Sequence, residues 1–127
     1  MMRSWVLPVT LILAPPALAE GLPVRIGQCA KTTVKQVEER LMDGATNQPT
    51  PGSGSAIEFA NGGYQVSYEQ EPAVDRSRPG DPVTMCLVSV PRHCPPGDDR
   101  GRMYKTTNLR TRGSWTLPDA EHQCGGA

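Results

Sequence analysis

The sequence predicts a single, mainly β domain: a small antiparallel sheet or partly closed barrel, stapled by disulfides, with one short N-terminal helix as its only helical candidate. Three observations carry this. Short alternating apolar runs are separated by turn-forming stretches such as Asn61-Gly62 and Pro79-Gly80. Four cysteines, Cys29, Cys86, Cys94 and Cys124, all lie beyond an N-terminal leader. Beyond that leader, thirteen glycines and ten prolines stand against five aromatic residues, so the core is modest and covalent ties add needed stability.

The leader is read from one positive charge, Arg3, followed by the uncharged run Trp5–Ala14 and small residues at Ala17-Leu18-Ala19. That is the pattern of a secretory signal peptide over residues 1–19, with residues 20–127 forming one exported domain. The expected location is the periplasm or the medium, with no membrane span after processing. Twelve basic residues against thirteen acidic ones in the processed chain imply neither a nucleic-acid partner nor an anionic surface from total charge alone.

Glu20–Gln28 carries Val24 and Ile26 in alternation, enough for an edge strand. In Thr33–Gly44, apolar residues at 34, 37, 41 and 42 match helical spacing, Thr33 with Gln36 can form a capping box, and Gly44 can end a helix. The β-branched residues Thr32, Thr33, Val34 and Val37 equally suit a long bent strand. Helix is the preferred reading. Ala45–Ser55 offers no apolar face and reads as a flexible surface linker.

Ile57/Phe59 and Tyr64/Val66/Tyr68 flank Asn61-Gly62, the preferred pair for a two-residue type I′ turn. Pairing Ala60 with Gly63 then sets Phe59 opposite Tyr64 and Ile57 opposite Val66. Pro79-Gly80 suits the centre of a type II turn. Val83–Val90 is a nearly continuous apolar run, expected as a central strand covered on both faces. The prolines and glycines of Cys94–Gly101 admit no helix or ladder, so this stretch is a rigid loop. Arg102–Leu117 reads as a second hairpin around Thr111-Arg112-Gly113, with Arg110 pairing Ser114 and Leu109 facing Trp115.

Four cysteines allow three pairings. Cys86 and Cys94 are separated by extended chain without a turn signal, too far for a bridge. Of the other two, Cys29–Cys86 with Cys94–Cys124 ties each half of the chain separately and is the predicted framework. His93, Cys94, His122 and Cys124 lack the spacing of zinc ligands, and no cofactor motif is present. Asp98 and Asp99 with a histidine could be drawn as a hydrolytic pair, although adjacent aspartates beside Arg100 describe a solvated turn equally well.

Between Arg92 and Arg112 basic residues outnumber acidic ones six to two. Arg100, Arg102, Tyr104 and Arg110 are therefore the candidate binding residues, arginines pairing with phosphates or carboxylates while an aromatic ring stacks on a glycan.

The stretches Cys94-Pro-Pro-Gly-Asp-Asp-Arg-Gly101, Asn108-Leu-Arg-Thr111, Ser114-Trp-Thr-Leu117 and Cys124-Gly-Gly-Ala127 resemble a family of small exported bacterial proteins. That resemblance implies export and carries no activity. Ser53-Gly54-Ser55-Ala56 is also similar to the Ser-Gly motif in the inhibitory loop of periplasmic lysozyme inhibitors, small β-barrels whose second motif has no counterpart in Val66–Gln70. The expected role is a non-catalytic binding or structural module of the bacterial cell envelope, its partner an envelope protein or a glycan. Inhibition of a cell-wall hydrolase is the first alternative, and a small hydrolase using Asp98 or Asp99 the second.

Overall fold

The computed structural model describes residues 2–12 and 20–126, so the expected cleavage site at Ala17–Ala19 lies outside the described residues. Six antiparallel strands form one curled, half-barrel sheet in the order β3-β2-β1-β4-β5-β6. The strands are β1 (Cys29–Glu39), β2 (Ser55–Phe59), β3 (Tyr64–Ser67), β4 (Pro82–Ser89), β5 (Met103–Asn108) and β6 (Ser114–Pro118), with a single helical turn, α1 (Pro72–Asp75), between β3 and β4. Both disulfides are those predicted, Cys29–Cys86 and Cys94–Cys124.

The helix expected over 33–44 is instead the long bent strand β1. Its first half pairs with β4 (Cys29 opposite Cys86 through Thr33 opposite Pro82), and its second half with β2 (Val34 opposite Phe59 through Glu39 opposite Ser55). A β-bulge between Val34 and Gln36 explains the misleading pattern. Ala30, Thr32 and Val34 point inward at a spacing of two, and the extra residue then places Val37 inward at a spacing of three, which imitates a helical step. The β-branched Thr32, Thr33, Val34 and Val37 suit a strand that docks first on β4 and then on β2.

The Ala45–Ser55 stretch has more structure than a linker. Met42 bridges Pro49, and Asp43 accepts the amides of Ala45 and Thr46 at 2.8 and 2.9 Å, while Asn47 takes a positive φ of 54°. The β1–β2 connection is thus a small hairpin projecting beyond the sheet. At its neck Arg40 N donates to Gly54 O and Leu41 N to the Ser53 hydroxyl.

The hairpin at Asn61-Gly62 forms with a register one residue away from the expected one. Glu58 faces Tyr64 and Ile57 faces Gln65, while Gly62 N donates to Phe59 O and Gly62 alone of the pair has positive φ, 86°. This is a three-residue loop closed by a glycine bulge rather than a type I′ turn. The slip turns Tyr64 away from the interior and Gln65 into it. The second hairpin also differs. Thr107 faces Ser114 and Thr106 faces Trp115, a slip of three residues, because Arg110 N and Thr111 N both donate to the Asn108 side chain and build a longer loop with Arg112, not Gly113, at positive φ. Leu109 is therefore half exposed.

Two smaller expectations divide. The Pro79-Gly80 turn forms as predicted, with Asp81 N donating to Arg78 O and Gly80 at φ 90°. Residues 20–28 form no strand, and Val24 and Ile26 are exposed. β4 is central in the sheet, yet only one face is covered: Val83, Met85 and Leu87 are buried while Val88 is exposed.

The core gathers Val34, Ile57, Phe59, Val83, Met85, Leu87, Tyr104 and Trp115 on the concave face, with Ala73 and Val74 of α1 packed against it. The two outer strands, β3 and β6, are not joined by a backbone ladder. Gln65 spans that seam, completely buried. Its amide nitrogen donates to Tyr104 O (2.8 Å) and Leu117 O (3.0 Å), and its oxygen accepts from the Thr106 hydroxyl (2.7 Å) and the Trp115 indole (2.8 Å). Every hydrogen-bonding atom of the amide is used, so the half-barrel is closed by a side chain where a strand pair is missing.

Candidate functional site

The four candidate binding residues fall in different places. Tyr104 points into the core and is 2% exposed, so its ring presents no face for stacking. Arg100 and Arg102 precede β5, whereas Arg110 follows it at the other end of the sheet. Arg100 binds Asp98 through Nε and Nη2, both at 2.9 Å, and Arg102 pairs with Asp99 at 2.9 Å. Asp98 also accepts Gly125 N, and Arg100 Nη2 donates to Gly126 O. With the Cys94–Cys124 bridge, these contacts lock the rigid loop to the C-terminal segment.

Arg110 serves a second network. It donates to both oxygens of Asp81, at 2.6 and 3.0 Å, and the buried Asn108 donates to Asp81 Oδ2 and to the Ser77 hydroxyl. The Arg110 guanidinium holds the Asp81 carboxyl well below the usual carboxylate range; burial opposes this, and Asn108 and the Arg78 amide add to it. A depressed folded pKa stabilises the fold fully above about pH 4 and loses that contribution as pH falls further. Asp81→Asn is expected to cost about 2–3 kcal/mol at pH 7, and its stability should fall less steeply than that of the wild type between about pH 4 and pH 2. Urea melts across that range measure both.

The hydrolytic reading drew on Asp98 and Asp99 with a histidine. Hydrogen bonds from Arg100, then Gly125 N, hold Asp98 far below the range of a general acid or base at neutral pH. The aspartates' salt bridges run to Arg100 and Arg102 and not to His93 or His122.

An open cleft of about 560 Å³ lies at the far end of β1, beside the projecting hairpin. Val37, Glu38 and Glu39 of β1, Pro49 and Gly52 of the hairpin, and Gln70 and Asp75 of the β3–β4 connection line it. Glu39 and Asp75 present carboxylates to this space and no basic residue lines it, while Glu38, next to Glu39 in the strand, turns its carboxylate to the outer face with Tyr64. Ser55 donates to Asp75 Oδ1 at 2.7 Å and accepts Glu71 N at 2.9 Å, fixing the α1 end of the cleft to β2. Gln70 Nε2 donates to Asp75 Oδ2 at 3.0 Å and reaches Glu39 Oε1 at 3.4 Å, so one amide braces both acids. The second oxygen of Glu39 is buried and has no hydrogen-bond partner among the described residues.

The nearest cation is committed elsewhere. Arg40 donates to Ser53 O at 2.7 Å, pairs with Glu121 at 2.9 Å, and lies 4.4 Å from the centre of the Tyr68 ring. The outer face behind the cleft is also acidic: burial first, then the carboxylates of Glu121, Glu38 and Glu58, pushes the Tyr64 hydroxyl above its ordinary value. Comparison with family models, with curated proteins and with solved structures finds no match to this chain.

The site must therefore be read from its own chemistry. It offers carboxylate acceptors beside the aliphatic walls of Val37 and Pro49. That combination suits a long cationic side chain, whose stem packs on carbon while its head binds oxygen. Ser53 and Gly54, the pair similar to an inhibitory motif, are used internally: Ser53 accepts from Arg40 and Leu41, and a Cβ on Gly54 would lie 2.0 Å from Ser67 O.

Sequence reasoning missed Glu39 and Asp75. Glu39 lies in the segment that reads as a helix and Asp75 in a stretch between the predicted strands, and no local pattern links residues that meet only through the fold.

Proposed function

We propose that this chain is an exported, non-catalytic binding module of the bacterial cell envelope, and that the cleft between the 43–49 hairpin and the 70–75 segment receives an arginine or lysine side chain of a partner protein. Two disulfides fit an extracytoplasmic protein, and among the described residues no helix is long and apolar enough to cross a membrane. The concave face is filled by its own side chains, which directs recognition to the rim. The observation that carries the reading is the unneutralised pair of Glu39 and Asp75, braced by Gln70 and Ser55 while Arg40 is held away. Bracing lowers the ordering cost on binding.

Capture from envelope extract tests this. The wild type is expected to retain a partner that elutes with salt, and Glu39→Gln combined with Asp75→Asn to lose it at least tenfold, as screening of charge pairs requires. Equal capture by both proteins would remove the cleft from the function. Inhibition of a cell-wall hydrolase is the form this binding takes where the partner's cation lies beside its own active site, and a lysozyme assay with the same variant as control reads that directly.

A further inference from the structure

We infer that the opposite end of the sheet, around the Cys29–Cys86 bridge, is a docking surface for an anionic membrane. Four aliphatic residues are exposed there: Val24 (70%), Ile26 (63%), Val88 (41%) and Val90 (42%). They belong together. Gly27 N donates to Leu87 O and Leu87 N to Gln28 O, which sets the 25–28 turn carrying Ile26 against the end of β4 that carries Val88. A register irregularity between Leu87 and Ser89 leaves Val88 without an opposite residue on β5.

Basic side chains surround this patch. Lys105 is paired across the sheet with Cys86, itself opposite Cys29, so it stands on the same outer face; Arg25 precedes Ile26 in the chain, and Arg92 follows Val90 after Pro91. Among the described residues none of Arg25, Arg92 and Lys105 has a carboxylate within salt-bridge distance. Of the acids near this end, Asp98 and Asp99 are paired with Arg100 and Arg102, and Asp119 accepts the amides of Gly101 and Arg102. Aliphatic side chains flanked by free cations complement a bilayer interface whose phosphates are negative: the carbon enters the headgroup boundary and the cations meet phosphate. The modest apolar area predicts reversible, salt-sensitive attachment. This surface gathers at the Cys29 end of β1 and the cleft at its Glu39 end, so it is independent of the proposal above.

The test is flotation of the chain processed at Ala19, whose strands and bridges all lie within residues 20–126. Phosphatidylcholine vesicles containing about one third phosphatidylglycerol are expected to carry it at about 0.02 M salt, release it at about 0.5 M, and fail to carry it when the anionic lipid is omitted. Arg92→Ser with Lys105→Ser should lower the bound fraction about tenfold, and Val88→Ser with Val90→Ser should do the same without shifting the melting temperature, since all four side chains are exposed. Equal binding to neutral vesicles, no binding at low salt, or variants that bind as the wild type does would overturn the inference. Release by inorganic phosphate at constant ionic strength would overturn it too, showing a free anion to be the ligand.

Discussion

Replacing Gln65 with leucine is expected to cost about 3–5 kcal/mol, a large part of the stability of a domain this size. Leucine nearly matches the side chain in volume, so no large cavity opens. What is lost is the acceptor for the Thr106 hydroxyl and the Trp115 indole and the donor to Tyr104 O and Leu117 O, all in the interior. A buried donor left without a partner costs about 1–3 kcal/mol, and two are created at once. Gln65→Glu separates this account from simple packing loss. A glutamate there keeps the acceptors but turns negative charge toward two carbonyls, so its folded pKa rises above the unfolded value. The variant should then be more stable below about pH 4 and lose that advantage as pH rises. Urea melts at pH 4 and pH 8 read the difference, and equal stability at both would mean the amide is not the closure of the seam.

The second large effect is expected at Gly54. Its φ of 123° is a conformation that side chains rarely adopt, and a Cβ would lie 2.0 Å from Ser67 O and 2.9 Å from Tyr68 O. Backbone atoms cannot yield as a flexible side chain can. Gly54→Ala should therefore cost about 3–5 kcal/mol or prevent folding, whereas Gly52→Ala, at φ 77° with nothing within 4 Å, should cost about 1 kcal/mol. Thermal melts of the two variants compare them under one measurement. Similar losses would show that conformational preference, and not the close approach of β3, decides the position.

What the sequence made legible followed local rules. The cysteine pairing came from chain reach and turn signals, and the Pro79-Gly80 turn from residue chemistry, and both stand in the structure. Alternation located β2 and β3, and a nearly continuous apolar run located β4. The failures share a different cause. The expected Asn61-Gly62 register sets large apolar residues face to face, but Gln65 displaces Val66 from the concave side because its partners come from residues 104 to 117. Asn108 defeats the second hairpin similarly, its side chain holding the loop while it binds Asp81 and Ser77. Buried polar residues satisfied by distant segments leave no periodic trace. The acidic cleft was invisible on the same grounds, since β1, the hairpin and the 70–75 segment meet only once the sheet has curled.

The most direct measurement of the central proposal is an amide chemical-shift titration of the processed chain with a short arginine-containing peptide, read residue by residue. The cleft account predicts saturable shifts concentrated at Val37–Glu39, Gln70 and Asp75, abolished by Glu39→Gln with Asp75→Asn and weakened by salt. Shifts spread evenly over exposed acids such as Glu20 and Glu69, or persisting unchanged in that variant, would contradict it.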